Sequence, residues 1–377
     1  MIIDSHAYCF EPADSIRGYS SVSEHLRWVQ RGQARHHQPA FRRRDRAPGP
    51  SDVLMPKGTM SLEEMPDLNF RLDKEGGRVL WDYQGETYTK HFYPPNLRNL
   101  EFTPDSLIGE MDYAGIDRAL LHTDPMLGRS IEYQVDCVRR FPDRILSMVP
   151  VDEWRIHADI DAVIQEVSNA VERGGLHAIK FNPLGYQVSP KPWDAGPYKP
   201  FWDAVSKLGV PIFFTLGTGP EQRREDALNR TTQDSYINEL RILMRWMKRY
   251  PDTLASITHG FPWRVYLQGG TIILPDAIWE PFQNPNLSIE VCFPVRIGDL
   301  FDYPYREVWP ALSQMVQRIG PSRLLYGTDM PFQNRFCTYR QSRHWIERHF
   351  APATGLGDAD LAQIMGDAAA RVLGMGK

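Results

Sequence analysis

The sequence predicts an α/β protein, a (β/α)8 TIM barrel with a long insertion after its first strand. From about residue 104 onward, short apolar runs rich in β-branched residues alternate with amphipathic segments of about 10 to 16 residues. This alternation is typical of parallel strands that are joined by helices. Strands are expected near residues 2, 119, 146, 177, 212, 256, 288 and 324, and eight such units close into a barrel.

The order of these segments also predicts the domain organisation. Met1 to Ile3 reads as the first strand, and residues 14–101 show no clear period and form the insertion. We therefore expect residues 1–377 to form one barrel domain that carries this insertion. The alternative is an open, doubly wound sheet, but no G-x-G-x-x-G motif follows the first strand.

Composition excludes several classes of function. The chain has 377 residues, a formal net charge of −4, 42% hydrophobic and 24% charged residues, which is ordinary for a globular protein and unlike a disordered one. A slightly acidic chain is a poor candidate for nucleic-acid binding as its main role. The apolar runs are too short to span a membrane and the N-terminus does not resemble a signal peptide, so we expect a cytoplasmic protein.

The cysteines are consistent with a reducing compartment. Their positions are far apart and form no C-x-x-C pair: Cys9, Cys137, Cys292 and Cys337. Neither a disulfide framework nor a cysteine-rich zinc site is therefore expected.

The insertion contains a basic segment. Residues 27–46 carry seven arginines and a single acid, Asp45. We expect a solvated loop or a contact between subunits, and the alternative is a surface that binds an anionic substrate or partner.

Polar side chains follow the predicted strands at the end where barrel enzymes carry their chemistry. The residues at these strand ends are Asp4, His6, Tyr8, His122, Thr123, Asp124, Asp152, Glu153, Lys180, Asn182, Thr215, His259, Glu290 and Asp329. Imidazole and carboxylate groups dominate this set. They are the nitrogen and oxygen ligands that hold divalent transition metals.

Seven segments resemble the amidohydrolase superfamily, in the branch of aminocarboxymuconate semialdehyde decarboxylase and γ-resorcylate decarboxylase. In chain order they are IIDSHAY, LIGEMDYAGIDRALL, LHAIKFNP, VPIFFTLG, ITHGFPW, RLLYGTDMPF and IMGDAAARVLG. The resemblance covers nearly the whole chain. It implies a barrel with a metal ion at the strand ends, where the histidine after strand six acts as an acid or base or binds a second metal ion.

The resemblance also implies site residues. His6 matches the first histidine of the family's H-x-H motif, His259 matches the histidine after strand six, and Asp329 matches the aspartate after strand eight. Tyr8 and Thr215 stand where the family has two further histidine ligands. Neither a phenol nor a threonine hydroxyl replaces an imidazole ligand easily, so the site is either rebuilt or vestigial.

Other side chains are available to rebuild the site. Asp4 lies on the same strand face as His6, and Glu290 is a carboxylate at the end of an apolar strand that needs a polar partner. The predicted metal ligands are His6, His259, Asp329, Glu290 and Asp4. The predicted catalytic residues are His259, Asp329 and Lys180.

Three functions remain open from the sequence. The first is a metal-dependent decarboxylase or hydrolase of a small carboxylate or aromatic substrate, with zinc as the expected metal and iron or manganese as alternatives. The second is an O2-using hydroxylase, or a subunit of one, with an Fe or Mn/Fe site. The third is a non-catalytic subunit that supports a homologous catalytic chain, so a homo-oligomer or such a hetero-oligomer is expected.

Overall fold

The computed structural model describes residues 1–36, 38–56, 59, 61–97, 99–183, 191–217, 232–291 and 293–375. These residues form two compact units. The first unit comprises Met1–Ala7, Ile108–His122 and Ile131–Lys377, and the second comprises Tyr8–Leu107 and Thr123–Ser130. The predicted insertion, residues 14–101, falls entirely in the second unit, and its assignment to a single domain with the barrel stays a prediction.

The strands are β1 (Ile3–Ala7), β2 (Ala40–Arg42), β3 (Pro48–Gly49), β4 (Arg71–Asp73), β5 (Arg78–Tyr83), β6 (Glu86–Lys90), β7 (Arg118–Leu121), β8 (Ile145–Val149), β9 (Ala178–Phe181), β10 (Ile212–Phe214), β11 (Ala255–Ile257), β12 (Leu267–Gln268), β13 (Thr271–Ile272), β14 (Leu287–Val291) and β15 (Leu324–Tyr326). The helices are α1 (Val22–Arg35), α2 (Pro104–Ala114), α3 (Ile131–Arg140), α4 (Ile160–Glu172), α5 (Lys199–Val205), α6 (Thr232–Arg249), α7 (Pro294–Ile297), α8 (Trp309–Ile319), α9 (Tyr339–His344), α10 (Ala351–Thr354), α11 (Asp358–Ala362) and α12 (Ala368–Val372).

The first unit is built on eight parallel strands in the order β1-β7-β8-β9-β10-β11-β14-β15. The two outer strands approach each other, because the Asp329 amide donates a hydrogen bond to the His6 carbonyl at 2.9 Å and Ala7 forms a parallel bridge with Met330. The sheet is therefore a nearly closed barrel with helices between its strands. The predicted (β/α)8 fold is confirmed, and a strand lies at or beside each of the eight predicted positions, although the first strand is Ile3–Ala7 and not Met1 to Ile3.

Apart from β1, which carries Asp4, Ser5 and His6, the barrel strands are mostly apolar because helices cover the outside and side chains fill the inside. Inward residues such as Leu120, Met148 and Phe213 form one buried core with the C-terminal helix α12. The segment before α12 closes against the start of the chain. A Cβ at Gly366 would lie 2.1 Å from the Met1 carbonyl oxygen, so this close approach requires glycine.

The second unit contains an antiparallel sheet in the order β3-β2-β6-β5-β4, which the sequence did not reveal. Strands β5 and β6 form a hairpin whose turn residues, Gln84 and Gly85, have φ values of 50° and 76°. Positive φ at both central residues is the geometry of a tight hairpin turn. The pattern was missed because these strands have two to six residues and only β5 carries a buried core, Val79 to Trp81.

In the part of the chain that the structure describes, no helix is both long enough and apolar enough to cross a bilayer. Cys9, Cys137 and Cys337 are buried and form no disulfide bond with one another, and Cys292 lies outside the described residues.

Candidate metal centre

Six polar side chains converge where the barrel strands end. His6 and Glu290 belong to β1 and β14, and Lys180 belongs to β9. The others follow strands: His122 follows β7, His259 follows β11 and Asp329 follows β15. All six are buried or nearly so. Parallel strands bring their carboxyl ends to one side of a barrel, which is why residues up to 323 positions apart meet here.

Three of these side chains direct donor atoms toward a common point. The Asp329 Oδ1 atom lies 3.3 Å from His6 Nε2 and 3.7 Å from His259 Nε2. These donor atoms all lie within 4.8 Å of one another. The predicted residues His6, His259 and Asp329 are thus brought together, in a group of the size that one metal ion can bridge.

The protonation states suit metal binding. Burial lowers the pKa of His6 well below its usual value, helped by the nearby His122, and it lowers the pKa of His259 to about 3, helped by the charge of Arg296. Burial alone would raise the pKa of Asp329, but its contact with His259 and the nearby positive charges outweigh burial and lower it. Near neutral pH the group therefore offers neutral imidazoles and an ionised carboxylate, which are the forms that bind metals.

One buried oxygen atom of this group accepts no hydrogen bond. The buried Oδ1 of Asp329 accepts no hydrogen bond from the described residues. A buried, ionised oxygen without a partner costs free energy unless a cation or a donor compensates it. A divalent metal held by His6, His259 and Asp329 would provide that compensation, so the residues present fit the metal that the sequence predicts.

Glu290 orients both histidines of this group. Its Oε2 atom lies 2.8 Å from His6 Nδ1 and accepts the His259 backbone N–H at 3.1 Å. With the Nδ1 proton donated to Glu290, the His6 Nε2 lone pair is free to face Asp329. A carboxylate that fixes the tautomer of a metal-binding histidine is a common arrangement in metalloproteins.

Glu290 also belongs to a second group that is capable of binding a metal, with His6 and His122. The hydrogen bonds around His122 favour a different role for it. Its Nε2 atom lies 2.8 Å from the Ser5 carbonyl oxygen, which only accepts, so Nε2 carries the proton. Its Nδ1 atom then accepts from the Lys180 ammonium at 3.1 Å. Both ring nitrogens are thereby engaged.

The His122 ring also stacks on His6, with ring centroids 3.4 Å apart and planes inclined by 18°. His122 therefore holds His6 in place and connects it to Lys180. The sequence placed His122 at a strand end but did not assign it a role. The available signal was that its strand, RALL, ends directly at the histidine.

Asp4, a predicted metal ligand, has a carboxyl group that is engaged in several hydrogen bonds. Its Oδ1 accepts the backbone N–H groups of His6 and Thr328 at 3.0 and 3.1 Å, and its Oδ2 accepts the hydroxyls of Thr328 and Tyr339 at 2.6 Å each. Burial raises its pKa to about 7. Because four donors already use this carboxyl group to link β1 with the segment after β15, we leave Asp4 out of the proposed ligand set.

Thr215 stands at the strand-five position where the resemblance implies a histidine. Its hydroxyl lies 2.9 Å from that of Thr258, which lies 3.1 Å from His259 Nδ1. The two threonines thus form a chain that orients the His259 ring and leaves its Nε2 toward Asp329. Tyr8, the other replacement, is a buried residue of the second unit.

The backbone at two of the candidate ligands is unusual. His259 and Asp329 have φ values of 64° and 67°, in the left-handed region that side chains other than glycine rarely adopt. Such strain persists only where surrounding contacts impose it, and it is concentrated at functional sites. This independent feature marks the same two residues as the donor geometry does.

Comparison with known proteins supports the sequence resemblance. A curated relative, γ-resorcylate decarboxylase of Rhizobium radiobacter, is 26% identical over 348 residues, covering 82% of this chain and 95% of the relative. A second, γ-resorcylate decarboxylase of Rhizobium sp. (strain MTP-10005), is 24% identical over 348 residues, covering 82% of this chain and 95% of the relative.

Solved structures show the same fold. A dihydroxybenzoic acid decarboxylase from Polaromonas sp. JS666, with bound manganese and the inhibitor 2-nitroresorcinol, matches with a TM-score of 0.51 and 18% identity over 74% of this chain and 88% of that chain. An amidohydrolase from Burkholderia multivorans with bound zinc matches with a TM-score of 0.52 and 14% identity over 74% and 89%. The amidohydrolase family model matches residues 90–375, which is most of the chain. The protein therefore belongs to the amidohydrolase family.

Proposed function

We propose that this protein is a metal-dependent decarboxylase of a small aromatic carboxylate. The observation that carries the proposal is the convergence of His6 Nε2, His259 Nε2 and Asp329 Oδ1 at the barrel strand ends. The name of the γ-resorcylate decarboxylase relative supports the choice of reaction.

His6, His259 and Asp329 would hold the metal ion. When bound, the metal would supply a Lewis acid that attracts the oxygen atoms of the substrate. Three protein ligands leave coordination positions open, as is usual in catalytic sites and unusual in structural ones. Zinc is the first expectation for this nitrogen and oxygen donor set, and manganese and iron are alternatives.

The other residues of the cluster would control orientation and protons. Glu290 and the Thr215–Thr258 pair hold the two imidazoles in their binding tautomers. Decarboxylation breaks the bond between the ring carbon and the carboxyl carbon, releases CO2 and adds one proton to the ring carbon. We assign the storage of that proton to Lys180, whose ammonium is held against His122.

One observation favours a second candidate function. Two imidazoles and one carboxylate with open positions are also the donor set of non-haem iron oxygenases. An O2-using hydroxylase, or a subunit of one, is therefore the alternative. A supporting role beside a catalytic homologue is a further outcome of the test, while hydrolysis, the expected oligomer and the cytoplasmic location remain predictions.

The test combines metal content with turnover. We expect about one divalent metal per purified chain by inductively coupled plasma mass spectrometry, and CO2 release from 2,6-dihydroxybenzoate by the zinc- or manganese-loaded protein. Product formed only with iron and O2 would favour the hydroxylase. A chain that binds no metal and releases no CO2 would favour the role of a non-catalytic supporting subunit.

The role of Lys180 is tested separately. Lys180→Gln is expected to lower kcat by about 100-fold or more, because a positioned proton donor contributes that much, while metal content stays unchanged. The exposed Lys207 provides a matched control as Lys207→Gln. Equal kcat values for both variants would remove Lys180 from the mechanism.

A further inference from the structure

The barrel closes along a seam between β1 and the segment that follows β15, residues 328–330. At this seam Ala7 forms a parallel bridge with Met330, and the Asp329 amide donates a hydrogen bond to the His6 carbonyl at 2.9 Å. Two of the three proposed metal ligands therefore face each other across the seam, with Asp329 Oδ1 at 3.3 Å from His6 Nε2. The separation of these two ligands depends on the contacts that hold the seam together.

The Asp4 carboxyl group bonds to both sides of the seam. Its Oδ1 atom accepts the backbone N–H groups of His6 and Thr328 at 3.0 and 3.1 Å. Its Oδ2 atom accepts the Thr328 hydroxyl and the hydroxyl of Tyr339, which belongs to α9, at 2.6 Å each. Asp4 is completely buried, so water does not compete for these bonds. One carboxyl group thus fixes the backbone beside both ligands.

Three successive backbone N–H groups around Asp329 are held in this way. The first, of Thr328, donates to Asp4, and the second, of Asp329 itself, donates to the His6 carbonyl. The third, of Met330, donates to the Thr328 Oγ1 atom at 3.1 Å, and that hydroxyl in turn donates to Asp4. Strained backbone persists where surrounding contacts impose it. These bonds on both sides of Asp329 account for its left-handed φ of 67°.

We propose that Asp4 is a positioning residue, which holds Asp329 in the left-handed conformation that directs its carboxylate toward His6. Asp4 acts through the backbone and not as a ligand, because its two oxygen atoms already accept four hydrogen bonds. The position of the Asp329 carboxylate follows from these contacts alone. Its consequence for metal binding rests on the proposed function.

Asp4→Asn tests this role because it keeps the size of the side chain and changes only its hydrogen bonding. If the amide oxygen takes the place of Oδ1, the amide NH2 group faces two hydroxyls, and the Thr328 hydroxyl loses its acceptor. If the oxygen takes the place of Oδ2, the NH2 group faces two backbone N–H donors. In a crystal structure of the metal-free variant, we expect Asp329 to leave the left-handed region or its Oδ1 atom to move from His6 by more than about 0.5 Å.

Metal affinity provides the second measurement, by titration of Mn2+ against a competing chelator. Asp4→Asn is expected to weaken binding by about 10- to 100-fold, as changes beside metal ligands do. Thr328→Val, which removes the hydroxyl between Asp4 and the Met330 amide, is expected to have a similar effect. Tyr339→Phe removes one donor and is expected to weaken binding by about 2- to 10-fold. These two variants test the proposal even if Asp4→Asn does not fold.

Asp194→Asn is the matched control. Asp194 is also a buried acid, but its carboxylate accepts hydrogen bonds from Arg245 at 2.9 and 3.0 Å and is not part of the seam. We expect this variant to lose thermal stability and to keep the metal affinity of the wild type. The comparison separates positioning of Asp329 from a general contribution to stability.

The proposal is overturned if Asp329 keeps its φ and its distance to His6 in Asp4→Asn and Thr328→Val. It is also overturned if these variants lose no more metal affinity than Asp194→Asn at the same loss of thermal stability. Tighter metal binding by Tyr339→Phe would show that the released Asp4 oxygen is itself a ligand, which contradicts the proposal. A wild type that binds no manganese would reject the proposed metal centre, and the crystal structures would then decide the role of Asp4.

Discussion

The barrel strand ends and the arginine-rich segment of the second unit are both dense in charged residues, but their structures differ. At the strand ends, His6, Glu290 and Asp329 are buried and depend on one another. In the basic segment, Arg44 is exposed and pairs with Glu86 at 2.8 Å, and Arg42 pairs with Asp45 at 2.6 Å. The acids that balance these arginines come partly from later strands of the same sheet.

This difference shows that the local density of charge in a sequence is a poor guide to function. Exposed ion pairs are solvated, are screened by salt and contribute little free energy. Buried polar groups cost much more unless they are paired or bind a ligand, so their presence requires a compensating partner. Four predictions test or sharpen the contrast between these two regions.

The largest effect is expected at the metal ligands. His6→Ala and Asp329→Asn should each lower metal affinity by at least about 100-fold, because one of three ligands is lost and second-sphere changes alone cost about 10- to 100-fold. Metal content after dialysis against a weak chelator would measure this. Asp45→Asn, the matched change in the exposed arginine segment, should leave metal content unchanged, and equal content in all three variants would contradict the ligand assignment.

A smaller loss of metal affinity is expected when the metal ligand His6 is kept but the residue that orients it is changed. Glu290→Gln should weaken metal binding by about 10- to 100-fold, because an amide cannot hold His6 and the His259 backbone as the carboxyl group does. A chelator competition titration would give the affinity. Glu86→Gln, in the second unit, is the control, and identical affinities for the two variants would argue that Glu290 has no role in positioning His6.

The second unit has its own buried titratable group, His25, whose Nε2–H donates to the Met126 carbonyl at 3.0 Å. Burial, together with the charge of Arg17, lowers its pKa from 6.5 to about 4. The unfolded chain therefore binds more protons between these values, so the stability that neutral His25 provides is present above about pH 6.5 and is lost as pH falls toward 4.

We expect the titration of His25 to lower the free energy of unfolding by about 2 kcal/mol when the pH falls from 7.5 to 5. Denaturant unfolding of the wild type and of His25→Gln at both pH values would isolate the contribution, since the variant should lose it. His157→Gln, at an exposed position, should retain the wild-type difference. A pH dependence that is the same in all three proteins would show that His25 does not titrate in this way.

The smallest effect is expected at the exposed arginines. Arg44→Gln should change the free energy of unfolding by less than about 0.5 kcal/mol, because its pair with Glu86 is exposed to water. Thermal unfolding at low and high salt would measure the change. A loss of several kcal/mol, or a loss of metal binding, would show that the two regions differ less than their burial indicates.

The fold was largely predictable because its signal is repeated. Each barrel strand is a short, mostly apolar run between helices. Because the pattern occurs eight times, a wrong prediction for one strand does not change the predicted fold. The sheet of the second unit was not predictable for the opposite reason. Its strands are short, and its cross-strand residue pairs, such as Trp81 with Tyr88, depend on contacts that a local sequence pattern does not predict.

The candidate site was only partly predictable. His6, His259 and Asp329 follow or end strands, and the structure brings them together as expected. The ligand role predicted for Asp4 gained no support, because which of two neighbouring acids meets the histidines depends on donors as distant as Thr328 and Tyr339. The connection from Lys180 through His122 to His6 could likewise not be predicted from the sequence, since it joins residues of three different strands or strand ends.

The sequence by itself determined the parallel alternation of strands and helices, and with it the end of the barrel where polar side chains gather, because periodicity and strand direction are local properties. Only the tertiary structure decided which of those side chains converge. Burial and hydrogen bonding set the pKa values of imidazole and carboxyl groups and so decide which of them are charged. At Asp4, Glu290 and Asp329, the residues that bury the carboxyl group or bond to it are mostly distant in the chain.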